Sequence, residues 1–335
     1  MLIRGFAYGP DGLNVASVHT PSGALNLDGK GYKFHKGLWW LGLDTSGTTT
    51  IMKTTTVDPR LGNMPLKPGT CEPVEIYPRC IIVRPGFVLN KVNLSGPGLK
   101  RVCDWWRVFP DPFGASWMAV RKERQSWMDE TREMVDILGE EMPSFLSPFF
   151  IEMNVSCPNT GLEHGALDDI YWKLDQIAKL NRAIFVKVSA AETSPRDTYL
   201  ISRHPNCYGI SDSNTFKFGS LPDKINWKKL TGYDRSPLVD VGDPDTGGGG
   251  ASSPAFVPIV CDHIKAVRDL GCDKPLIAGM GIRTIAHAKA YLDAGGVANT
   301  DISLGSIILS TSFRKIQKIV HFVRAYKQEK ASTSC

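Results

Sequence analysis

The sequence has no pair of cysteines at C-x-x-C spacing, although it holds eight cysteines, at 71, 80, 103, 157, 207, 261, 272 and 335. A zinc or iron–sulfur site built from this chain alone is not expected. The even count invites a disulfide framework, but a chain of this length without a secretory leader is read as carrying reduced thiols. Most of these thiols are expected to be small core residues. The histidines at 19, 35, 164, 204, 263, 287 and 321 show no metal-ligand spacing. No metal is expected, and His19 alone lies near a candidate site strand. A run of about 18 apolar residues is missing, so no membrane span is expected. The opening "MLIRGFAYGPDG" lacks an apolar signal core followed by a cleavage site, so the expected location is cytosolic. There is no dense tract of Lys and Arg. The net charge of +5, from 39 basic and 34 acidic residues, is mild. It favours an anionic ligand over nucleic acid.

What is present is ordinary globular composition, 42% hydrophobic and 22% charged over 335 residues. That length fits one α/β barrel domain. Eight short apolar, β-branched runs read as strands, at 13–18, 49–56, 116–120, 149–156, 183–190, 207–214, 275–281 and 301–308. Their near-continuous hydrophobicity suits parallel strands covered on both faces. Helical periodicity occupies 124–142, 167–180, 255–271, 284–296 and 313–328. Asp168 and Asp169 suit the positive start of the second of these helices, and Arg268 followed by Gly271 marks the end of the third. The alternation predicts a (β/α)8 TIM barrel, residues 1–335 forming one domain. Residues 20–47, 57–115 and 219–254 resist the scheme. Within the second segment, "EIYPRCIIVRPGFVLN" reads as an inserted β-hairpin. Long loops inside a compact domain usually serve function.

In such barrels ligands bind at the C-terminal strand ends. Polar residues expected there are Lys53, Asn154, Cys157, Asn159, Lys187, Asn214 and Thr215. Three glycine-rich turns, "TGGGGASS", "AGMGIRT" and "LGSII", fall after the later strands. They allow close backbone approach and are read as a phosphate pocket, against the plainer reading that glycines only make turns. Lys187 stands alone in an apolar strand. An unpaired buried ammonium is costly, so it must meet either a ligand anion or a structural partner such as Glu152. Asparagines offer a donor and an acceptor together, which suits a planar ring with N–H and C=O edges, such as a pyrimidine.

Several segments taken together resemble the class 1 dihydroorotate dehydrogenases. "IEMNVSCPNTG" (151–161) is similar to the family's N-L-S-C-P-N segment, and "MKTTTVDPRLGN" (52–63) to its K-S-x-T-x-x-P-R-x-G-N stretch. "VLNKVNLSGPGL" (88–99) resembles its active-site loop. "FVKVS", "SNTF", "GGGGASSPAFVP", "AGMGI" and "LGSII" follow in family order. The resemblance implies FMN as cofactor and oxidation of dihydroorotate to orotate in pyrimidine synthesis. Cys157 would be the base at substrate C5, with the hydride from C6 passing to flavin N5. Asn90, Asn154, Asn159, Asn214 and Thr215 would hold the substrate, and Lys53 would lie close to both substrate and flavin. Ala16 and Ser17 would lie along the flavin ring, and Lys187 would face its N1/O2 edge. Gly249, Gly250, Gly279, Gly281, Gly305 and Ser306 would bind the phosphate.

The resemblance further implies a soluble homodimer. Fumarate would suit a stand-alone enzyme, and NAD would require a separate iron–sulfur electron-transfer subunit. Two departures matter. Val18 stands where an A-S-G motif has glycine, and Asn93 stands where the active-site loop has glycine. Asparagine tolerates left-handed backbone angles, so that turn is expected to survive. Related flavin barrels acting on uncharged pyrimidines or on tRNA are weaker matches, as is a flavin-binding homologue without catalysis.

Overall fold

In the computed structural model the described residues are 7–8, 12–156, 166–242 and 247–333. The chain enters through a short antiparallel ribbon, β1 (Ala7–Tyr8) and β2 (Leu13–Asn14). It continues through β3 (Val18–Thr20), α1 (Lys33–Trp40) and β4 (Thr49–Ile51). A hairpin of β5 (Ile81–Arg84) and β6 (Phe87–Asn90) then precedes α2 (Leu99–Arg107). β7 (Phe113–Trp117) leads to α3 (Arg124–Glu141), β8 (Phe149–Asn154) to α4 (Leu167–Ile177), and β9 (Ile184–Val188) to α5 (Pro195–Arg203). After β10 (Gly209–Asp212) come β11 (Phe216–Lys217), α6 (Trp227–Thr231), β12 (Gly250–Ser252) and α7 (Val257–Asp269). β13 (Leu276–Gly279), α8 (Ile285–Gly295), β14 (Thr300–Ser303) and α9 (Ile316–Thr333) follow.

Eight parallel strands close in the order β10-β13-β14-β3-β4-β7-β8-β9, so the fold is a (β/α)8 TIM barrel. The strands are short and buried on both faces, because helices cover them outside and side chains fill the barrel inside. One interior cluster brings Ile51, Phe150, Phe185 and Ile277 from four strands against Leu13 and Val15. Phe150 and Phe185 meet edge to face at 5.2 Å. The segment before β3 therefore plugs the N-terminal end of the barrel. A second sheet, β11-β12-β6-β5, is antiparallel and separate from the barrel.

All eight expected strand regions contribute a barrel strand, but their limits move. The run expected as one strand over 13–18 is divided: 13–14 pairs with the entry ribbon, and β3 begins only at Val18. β4 stops at Ile51 instead of running to 56, and Lys53 to Thr56 continue beyond it as buried non-strand chain. Residues 20–47 do contain a first barrel helix, α1, and α2 and α5 were not visible as helical periodicity. α5 is set by Pro195 in its first turn and by Ser194, whose hydroxyl accepts from the Asp197 amide at 3.0 Å. Arg268 does more than end α7. Its guanidinium donates to the carbonyls of Cys272, Lys274 and Gly295, each at 2.7 Å, joining the ends of α7 and α8.

Two buried ion pairs tie helices to the barrel. On β14, Asp301 lies 2.6 Å from the Lys327 ammonium of α9 and 3.4 Å from His19. Burial pushes its pKa up, but Lys327 and His19 outweigh burial and bring it down to about 2. A depressed carboxyl pKa stabilises the fold above its unfolded value, and that gain is lost as pH falls from about 4 through 2. Lys327→Met is expected to cost about 2 kcal/mol near neutral pH and to move acid unfolding to higher pH. Urea titrations across pH 2–6 check both.

Asp212, at the end of β10, meets His263 Nδ1 of α7 at 2.7 Å, while His263 Nε2 lies 3.0 Å from the Thr193 carbonyl. Burial disfavours the charged ring, yet the carboxylate prevails and the His263 pKa is raised. The sign is opposite to that of Asp301. This contribution is complete below the unfolded histidine pKa, about 6.5, and fades as pH rises through the raised value. Unfolding free energy should therefore fall on the alkaline side, and His263→Gln should remove that slope.

Candidate active site

The mouth of the barrel, at the C-terminal strand ends, opens into a cavity with about 1080 Å³ of empty space, counting the part open to solvent. Lys53, Asn90, Asn154, Lys187, Asn214 and Thr215 line it together. They come from the ends of β4, β6, β8, β9 and β10, so residues up to 162 positions apart converge because parallel strands share one open end. The β5–β6 hairpin contributes Ile81 and Val88 to the wall, and β12 contributes Ser252. Pairing of β12 with β6 sets Gly250 opposite Asn90.

The floor is a connected polar network. Lys187 Nζ lies 3.3 Å from Glu152 Oε1, and Glu152 also accepts from Ser116 at 2.8 Å and Ser211 at 3.0 Å. Ser116 meets Thr54 at 2.8 Å, and Thr54 meets Ser22 at 2.8 Å. Asn214 donates to the Asn154 side-chain oxygen at 3.2 Å and to Ser156 Oγ at 3.1 Å. Glu152 is fully buried and Lys187 is 4% exposed. Lys187 therefore meets the structural partner, Glu152, and also lines the cavity. Lys53 donates to the Ser95 carbonyl at 2.6 Å, clamping the loop over 91–96 against the site. In that loop Asn93 has φ +54° and Leu94 φ +56°, so the left-handed turn survives the loss of glycine, and both residues line the cavity.

At the other side of the mouth, β13 and β14 end beside each other, with Gly279 opposite Ser303. Ser303 and Ser306 line the cavity, and their hydroxyls are buried without a hydrogen-bond partner. Gly305 lines it too. Two unpartnered buried hydroxyls fit a ligand rich in acceptor oxygens, since such groups are rarely left unmade. Gly249, Gly250, Gly279 and Gly281 are not among the residues lining the cavity; Gly249 packs close to Asn90, Gly279 to Ser303 and Gly281 to Ser253. At Gly281 the φ is +69° and a Cβ would lie 2.0 Å from the Ser253 carbonyl oxygen. Gly281→Ala should displace this turn, adding roughly 1–2 kcal/mol of backbone strain before any clash. Loss of ligand retention in an otherwise folded variant, followed by absorbance after gel filtration, checks this.

The structure corrects one assignment. Ala16 and Ser17 precede β3 and lie at the closed end of the barrel. The Ala16 amide donates to Thr49 at 2.8 Å and the Ser17 carbonyl accepts from Ile302 at 3.1 Å. A strand placed at 13–18 put its C-terminal end too early. β3 ends at Thr20, and the residues that follow it into the cavity are Pro21, Ser22, Gly23 and Ala24. "PSGA" after a strand was the available signal. Thr54 and Ser303, which line the cavity, were likewise not singled out as site residues. Cys157 and Asn159 lie outside the described residues. Among the described residues no cluster of His, Cys, Asp and Glu could hold a metal, and no helix is long and apolar enough to cross a membrane.

A cavity with convergent polar side chains at the C-terminal mouth of a (β/α)8 barrel is where barrel enzymes carry their chemistry. No family model matches the chain. It is 26% identical over 260 residues to the "Dihydroorotate dehydrogenase B (NAD(+)), catalytic subunit" of Geobacillus kaustophilus, covering 74% of this chain and 70% of that protein. The protein of the same name from Carboxydothermus hydrogenoformans is 26% identical over 265 residues, 76% of this chain and 73% of its own length. A solved tryptophan synthase A-subunit from Pyrococcus furiosus overlaps 96% of this chain and 100% of its own, with TM-score 0.45 and 10% identity. Fold and cavity define a (β/α)8-barrel enzyme site, and the sequence similarity is to oxidoreductases. Within that class the chain resembles the class 1 dihydroorotate dehydrogenases, the family to which its short motifs pointed.

Proposed function

We propose that this chain is a single-domain, FMN-dependent dihydroorotate dehydrogenase of class 1, oxidising dihydroorotate to orotate in pyrimidine synthesis in the cytoplasm. The observation that carries the reading is the convergence of Lys53, Asn90, Asn154, Lys187 and Asn214 on one cavity whose β14 side holds two unpartnered serine hydroxyls. Bound FMN would supply the two-electron acceptor for the hydride leaving substrate C6. Asn90, Asn154, Asn214 and Thr215, joined by Asn159, bind the edges of the pyrimidine and its carboxylate. Their amides can give and accept on the same ring. Cys157, directly after Ser156 in the chain, takes the proton from substrate C5 as thiolate. Lys187, held by Glu152, keeps a fixed positive charge where the reduced ring carries negative charge. Lys53 orients the 91–96 loop and the ring above it. Ser303, Gly305 and Ser306, with the turns at Gly249, Gly250, Gly279 and Gly281, receive the phosphate.

The relatives' name includes a catalytic subunit and NAD(+), which favours an assembly in which a homodimer of this chain passes electrons through a separate iron–sulfur subunit. Anaerobic mixing with dihydroorotate tests the reading. Rapid bleaching of the flavin band is expected, followed by reoxidation with NAD and the partner subunit, or with fumarate, or with a quinone. A colourless chain that stays colourless with added FMN would end it.

A further inference from the structure

Arg283 sits between β13 and α8, three residues after Met280, which lines the cavity, and directly before Thr284, the N-cap of α8. It is only 8% exposed. One terminal nitrogen, Nη1, donates to the Pro85 carbonyl at the tip of the β5–β6 hairpin. The other two, Nε and Nη2, are buried without a hydrogen-bond partner. Among the described residues burial is the influence on its pKa, which is lowered, and no carboxylate holds the charge up. A buried guanidinium without a counter-ion is strongly disfavoured. Nε and Nη2 form the planar edge that grips two oxygens of one oxyanion. Arg283 does not itself line the cavity, but Met280, three residues before it, does, as do Ser303 and Ser306 with their unpartnered hydroxyls, and the start of an 11-residue helix adds favourable N–H dipoles.

We propose that Arg283 is the counter-charge of the cofactor phosphate, gripping it through Nε and Nη2 where β13 and β14 end, and that this arginine makes the site selective for a phosphorylated flavin. The proposal rests on the FMN reading above and adds the residue that reads the phosphate. Because Nη1 also holds Pro85, and Ser253 Oγ donates to the Gly86 carbonyl at 2.8 Å, phosphate binding would fasten the hairpin over the cavity.

The test uses full-length protein stripped of flavin and titrated with FMN and with riboflavin, which lacks the phosphate, followed by flavin fluorescence. Arg283→Met is expected to weaken FMN binding about ten- to a hundredfold, with riboflavin binding little changed. Arg283→Lys, which keeps the charge but loses the fork, should fall between. A folded Arg283→Met protein with the wild-type ratio of FMN to riboflavin affinity overturns the assignment. If that variant does not fold, the lysine variant decides by the same ratio. Inorganic phosphate should also raise the thermal midpoint of stripped wild-type protein and not that of the variant; equal shifts count against Arg283. A wild-type chain that takes up neither flavin overturns the cofactor reading instead, and the phosphate arm then still decides on Arg283.

Discussion

Cys157→Ser is expected to lower the rate of flavin reduction by dihydroorotate about 10²- to 10⁴-fold at neutral pH, the usual worth of a positioned general base. Flavin content should be unchanged. The reason is the gap in acidity between a thiol and an alcohol. An unperturbed thiol ionises near pH 8.5, within reach of a modest environmental shift, whereas a serine hydroxyl does not ionise in that range. The residual rate of the variant should therefore keep rising with pH where the wild type has levelled. The local setting favours this reading. Ser156 accepts from Asn214, and Asn214 in turn binds Asn154, so the chain immediately before the cysteine is fixed to amides that line the cavity. Single-turnover stopped-flow at pH 6–10 is the measurement. A serine variant that reduces at the wild-type rate would place the base elsewhere.

Lys187→Met should be the most damaging single change to the fold of the site. Among the described residues it leaves Glu152, fully buried, with the Ser116 and Ser211 hydroxyls as side-chain partners. Removing one member of a buried pair typically costs about 3–5 kcal/mol, because the remaining charge is uncompensated. Lys187→Met combined with Glu152→Gln should recover much of that loss, since no buried charge remains. Flavin chemistry should not recover with it. Without a positive charge near the ring, the midpoint potential of bound flavin falls and the reduced form is disfavoured. Urea unfolding of the single and double variants separates the structural part, and spectroelectrochemical titration the electrostatic part. A double variant with wild-type flavin potential would show that Lys187 serves Glu152 alone.

Legibility in the sequence followed the scale of the interaction. Near-continuous apolar runs such as 149–156 and 183–190 revealed barrel strands, because burial on both faces leaves a strand no polar side. Helices with long amphipathic patterns were equally plain. α5, nine residues begun by Ser194 and Pro195, was not, because its identity rests on a cap and not on periodicity. Lys187 stood out as a lone charge in an apolar strand, yet its partner could only be suspected, since Glu152 lies 35 residues earlier and meets it only when β8 and β9 pair.

What the sequence by itself determined was the alternation of strand and helix, the presence of inward lysines and amides, and the set of glycine-rich turns. These are local properties of composition and spacing. The tertiary structure decided which residues share the mouth. It set the register of β3, so that the residues entering the cavity after it are Ser22 and Gly23 and not Ala16 and Ser17. It left Gly249 and Gly281 outside the cavity lining, and it buried Arg283 with Nε and Nη2 lacking a hydrogen-bond partner among the described residues. The physical reason is that strand register and barrel closure are fixed by the sum of many buried contacts across distant segments, and a shift of a few residues moves a side chain from one end of the barrel to the other.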